Sequence, residues 1–132
     1  MHATSRPDVD TVETLLCKAR RHGAGAAELA RHRPDLVDLL TPPDGTSLKT
    51  RALLAERVIR AAIDRLDQPA DQAMRTLFGL TADARRKSVA YRRDEAARLM
   101  SLTPGAFRRP HREGSMILDI AFEIVTADCP QR

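Results

Sequence analysis

Apolar positions in this chain recur mostly at steps of three and four, the spacing of one helix face, and no run alternates apolar with polar as a half-buried strand would. Val9, Val12, Leu15, Leu16 and Ala19 make the first such face. Arg20 and Arg21 fall in its last turn, where cations oppose the helix dipole, and Gly23 and Gly25 are expected to stop it. A short helix is predicted over residues 26–32. Another begins at Pro34, because proline is accepted in a first turn but not in a helix interior. TPPDGTS, residues 41–47, is the strongest break. It marks either a boundary between an N-terminal helical hairpin (residues 1–46) and a helical domain (47–132), or a loop within one compact domain.

Ser47 is a credible N-cap for the longest predicted helix, residues 48–66. Its stripe is Leu48, Ala52, Ala55, Ile59, Ile63 and Leu66, widened by Leu54, Val58 and Ala62, which makes it the expected centre of the fold. A helix over 70–78 turns Met74, Leu77 and Phe78 inward and stops at Gly79. Thr81 caps either a helix over 82–87 or a basic loop. A helix follows at 92–100, then a turn at 101–103 and a short helix from Pro104. Ser115 caps the last helix, MILDIAFEIVTA, which is apolar nearly all round except for Asp119 and Glu123. Such a helix is deeply buried or belongs to a subunit interface. The expected fold is all-α, with six to eight helices.

Composition sharpens this. Of the 132 residues 42% are apolar but only 3% aromatic, so the core must be built from Leu, Ala, Ile and Val, a mixture suited to helix-on-helix packing. The net charge of +4 is uneven: residues 85–112 hold nine Lys/Arg against Asp94 and Glu95, a local +7, while the remainder stands at −3. A basic segment on a near-neutral chain is a footprint for phosphate, unless its arginines form a solvated face or pair with Asp94, Glu95 and Glu113.

Cys17 and Cys129 match no zinc or redox spacing. Cys17 falls on an apolar face as a small hydrophobe, and two unmotivated thiols suit a reducing compartment. The stretch MHATSRPDVD lacks the apolar core of a secretory signal, and no apolar run approaches the ~20 residues that span a bilayer. The expectation is a cytoplasmic protein with no membrane contact.

The segment that carries a functional suggestion is RRDEAARLMSLTPGAFRRPHR, residues 92–112. Ala97, backed by Ala96, is small where two helices would cross. Ser101 stands at the turn, Leu102 plugs it, and Thr103-Pro104 supply an N-cap and helix start. Phe107 reaches the core one turn later. EAARLMSLTPGAFRR resembles the helix-turn-helix of bacterial DNA-binding proteins, whose common form is EAA-x-LLGVS-x-x-TFRR. More narrowly, LFGLT…RR…EAARLM-SLTPGAFRR-x-x-RE resembles a helical module of actinomycete proteins, found alone or joined to signalling and NTP-binding domains. The likeness covers about residues 75–125. It implies the helical scaffold and double-stranded DNA as a partner, and the narrower likeness implies no particular activity.

Three features of the residues oppose base readout. Pro104, Gly105 and Ala106 have nothing to read bases with at the start of the second helix. Pro110 should end that helix near Arg109. No aromatics are interleaved with the cations. Phosphate contact remains, with Arg108, Arg109, His111 and Arg112 on one backbone, Arg92 and Arg93 on a neighbouring one, and Arg85 and Arg86 in support. Asp94 and Glu95 read as dipole partners in a first turn rather than catalysts.

His2, His22, His32 and His111 are scattered, Gly23-Ala24-Gly25 is no phosphate cradle, and Ser88, Ser101 and Ser115 have no nearby base. No catalytic residue, metal or cofactor is expected. The leading expectation is a small DNA-binding regulator, dimeric through residues 115–127. The second is an adaptor that meets an acidic protein with the same arginines. The third is a structural or antitoxin-like subunit whose C-terminal helix is normally covered.

Overall fold

The computed structural model describes residues 7–127. The periodic stripes become α1 (Val9–Ala19), α2 (Ala26–His32), α3 (Pro34–Leu40), α4 (Leu48–Asp64), α5 (Ala70–Leu77), α6 (Val89–Leu99), α7 (Pro104–Phe107) and α8 (Ser115–Ala127), with a π-helical turn at Pro110–Gly114. No strand occurs among the described residues.

Helix α4 sits in the middle because its inward face is small and aliphatic. Ala52, Ala55, Ile59 and Ile63 are fully buried, and α2, α3, α5 and α8 all pack against it. Burying an isoleucine such as Ile59 contributes roughly 1.5–3 kcal/mol, and the alanines let neighbouring helices approach closely. Helix α8 packs on both α1 and α4, burying Ile117, Ile120 and Ala121 and leaving Leu118 and Phe122 exposed. One core cluster runs from Val12 to Ile124, so α1–α3 share it with the later helices. Cys17 is half-buried at its edge, and burial pushes its thiol pKa up. Cys129 lies outside the described residues.

Side-chain caps explain four of the eight helix starts among the described residues. The side chains of Asp8, Ser47, Ser88 and Thr103 accept from the amides of Thr11, Thr50, Tyr91 and Ala106. The Ser88 cap starts α6 three residues before Arg92. Gly23 turns the chain out of α1 at φ +99, but Gly25 is the extended N-cap of α2 rather than a second stop. Residues 82–87 form no helix. One turn closes on Thr81, whose Oγ1 and carbonyl accept from Ala84 and Arg85, and Arg86 then enters the left-handed region at φ +69. A single turn carrying three consecutive cations has no room to propagate before Ser88 begins a new cap.

Candidate nucleic-acid interface

The centre of the basic segment points inward. Arg92 is 2% exposed, and its guanidinium joins two helix C-termini. Nη1 donates to the carbonyls of Arg20, at 2.8 Å, and Leu77, while Nη2 donates to Arg21 at 2.9 Å and Nε to Lys87 at 3.1 Å. A cation here meets the carbonyl ends of α1 and α5, the favourable dipole arrangement. Burial, and the adjacent charge of Arg93, pull the Arg92 pKa below its ordinary value. The expectation that Arg92 contacts phosphate is therefore corrected: the side chain is buried, and four of its five N–H donors bond to backbone carbonyls.

Arg93 is also engaged. Its Nε donates to Glu113 at 3.0 Å, and Arg20 approaches the other carboxylate oxygen at 2.5 Å. Glu113 is 2% exposed, so α1, α6 and the π-helical turn meet at one buried carboxylate. With about a quarter of its side chain exposed, Arg93 borders the surface while serving this internal bond.

The turn after α6 is well formed. Ser101 is left-handed at φ +59, Leu102 N–H bonds to Ala97 O at 2.8 Å, and Ser101 N–H bonds to Arg98 O at 3.0 Å. These are the two bonds of a Schellman ending, with Ser101 in the place that glycine usually takes. Phe107 is fully buried. The helix that follows has only four residues. Pro110 lacks an N–H to continue it and forces the preceding Arg109 into extended backbone, ψ 145. A single turn beginning Pro-Gly-Ala presents no side chain that can hydrogen-bond to a base edge.

Arg85, Arg86, Arg108, Arg109, His111 and Arg112 are exposed, and among the described residues none has an ion-pair partner. Their two loops are pinned to neighbouring residues of α6: Lys87 O to Arg92, and Glu113 to Arg93. Both pins also reach the end of α1, through Arg21 O and Arg20. The cations therefore border one pole of the molecule, where α1 ends and α6 begins.

That pole includes groups outside the expected set of phosphate contacts. Arg21 and His22 are exposed at the end of α1, and the His22 ring stacks on His32 of α2 with centroids 3.7 Å apart. Lys87 lies over the Tyr91 ring at 5.1 Å, so an exposed aromatic does accompany the cations. In the sequence Arg21 reads as dipole compensation and His22 as one of four scattered histidines, and no local spacing signals the stack. A cleft of about 670 Å³, walled by Leu39, Leu40, Val58 and Ile124, lies at the opposite end of α1.

No family model, curated protein or solved structure matches the chain. Among the described residues no cluster of three or more His, Cys, Asp or Glu could hold a metal ion, and no helix is long and apolar enough to cross a membrane.

Proposed function

We propose that the protein binds double-stranded DNA through the phosphate backbone, with little sequence preference. The observation that carries this is the set of exposed cations at one pole that have no ion-pair partner among the described residues: Arg85 and Arg86 before α6, and Arg108, Arg109, His111 and Arg112 after α7. Arg92 and Arg93 hold the loops that present them. The unit resembles a helix-turn-helix in its first helix and turn, and its shortened second helix suits positioning on phosphate rather than reading bases. A second reading, an adaptor for an acidic protein surface, is favoured by that same shortness of α7. In either case two copies would pair through the 115–127 helix, whose Leu118 and Phe122 are 40% and 56% exposed one turn apart.

The test is fluorescence anisotropy of a mixed duplex pool at two salt concentrations. Wild type is compared with the Arg85→Ala/Arg86→Ala and Arg108→Ala/Arg109→Ala variants. Each phosphate contact adds about 0.9 to the log-log salt slope, so each double variant should flatten it by roughly two. Absence of binding at low salt removes the DNA reading and leaves the adaptor.

A further inference from the structure

The histidine pair is the part of the basic pole that the phosphate reading does not use. His22 leaves the end of α1 just before Gly23, whose positive φ lets the chain turn against α5. Ala24 N–H then bonds to Phe78 O at 2.8 Å, and a Cβ on Gly23 would meet the same carbonyl at 3.2 Å. The turn is thus held in place, and His32 from the end of α2 closes over His22 with ring planes 11° apart. Parallel rings direct their nitrogen lone pairs side by side, so the pair does not converge on one metal ion. It does stand among cations. Arg21 precedes it, Arg33 follows His32, and Arg92 of α6 lies beneath, bonded to Arg21 O. Arg33 is partly answered by Asp35 at 3.4 Å, and Glu28 of α2 is an acid facing this corner. Lys87 O and Arg21 O share the Arg92 guanidinium, which brings the backbone of Arg21, the residue before His22, close to that of Lys87.

We propose that the stacked His22 and His32, with Arg21, form a further phosphate-binding site on the DNA-binding pole that takes up one proton when the backbone occupies it. Desolvation, with the charges of His32, Arg21, Arg33 and Arg92, lowers the His22 pKa below its ordinary 6.5, so in the free protein this ring takes up a proton less readily than an ordinary imidazole. A phosphodiester seated on the pair reverses the local charge balance. The proton then enters a ring nitrogen of the stack and bonds to a phosphate oxygen. By linkage, whatever raises a pKa on binding is bound more tightly when that group is protonated. A rise of one unit corresponds to tenfold in affinity. DNA binding should therefore tighten about tenfold from pH 7.5 to pH 5.5, beyond the salt effect. This rests on the DNA reading above.

The experiment follows the His22 ring resonance by NMR through pH, with and without a short duplex, and measures duplex affinity at pH 5.5 and 7.5. Wild type, His22→Gln and His111→Gln are compared, since His111 also lies on the pole. The expected result is a His22 pKa raised by the duplex and a pH dependence that His22→Gln flattens and His111→Gln retains. Binding without a shift of the His22 resonance, or a pH dependence that only His111→Gln removes, overturns this inference and leaves the DNA reading standing. No duplex binding at either pH removes both.

Discussion

Arg20 and Glu113 lie 93 residues apart in the chain, and their side chains meet at 2.5 Å in the interior, with Arg93 on the same carboxylate. One buried anion holds two cations. The three charges tie the end of α1 to the start of α6 and to the π-helical turn, and they leave a net positive charge beneath the pole. A carboxylate removed from water is tolerable only with such partners, and removing it would strand both guanidinium groups.

Glu113→Gln should therefore cost about 3 kcal/mol, the low end of the range for breaking a buried ion pair. Arg20 and Arg93, about a quarter exposed, keep a route to water. Urea unfolding measures it, and a loss below about 1 kcal/mol would show the carboxylate to be incidental.

Arg92→Met keeps the stem's length and removes the donors that satisfy the carbonyls of Arg20, Arg21, Leu77 and Lys87. Buried acceptors left unpaired cost roughly 1–3 kcal/mol each, so a loss of about 3 kcal/mol or more is expected. Arg92→Lys should recover little, because an ammonium cannot reproduce the planar fork that spans two helix ends. Near-complete recovery by lysine in thermal melts would mean that charge alone matters here.

Ser101 occupies left-handed backbone with a side chain present. Ser101→Gly removes strain of about 1–2 kcal/mol at the end of α6 and adds back part of it as unfolded-state entropy. A net gain of roughly 0.5–1 kcal/mol is expected, with duplex binding unchanged. A fall in melting temperature would contradict the strain argument.

Without DNA, acid should weaken the fold through His22. Its folded pKa is lowered, so below about 6.5 the unfolded chain binds the proton more readily and stability falls with pH. The difference in melting temperature between pH 7.5 and 5.5 should shrink in His22→Gln. An identical acid response in the two proteins would assign the effect elsewhere.

The helices were legible because their cause is local. The Leu48–Asp64 stripe, the caps at Ser47 and Thr103, and the stop at Pro110 are each decided by residues within a turn or two, and the all-α class follows from them. The same locality left residues 82–87 open between a helix and a basic loop, and the structure has the loop, with Arg86 in left-handed backbone. For the candidate surface, sequence marked Arg85, Arg86, Arg108, Arg109 and Arg112 as a basic cluster. It could not separate from them the two arginines that point inward. Arg92 and Arg93 look no different in the chain, and what distinguishes them is the arrival of carbonyls and a carboxylate from residues up to 72 positions away. The His22–His32 stack is of the same kind. Periodicity and capping are short-range physics written along the chain. Which cation is buried, and which ring lies on which, is settled when the ends of α1, α2 and α5 meet α6 in space.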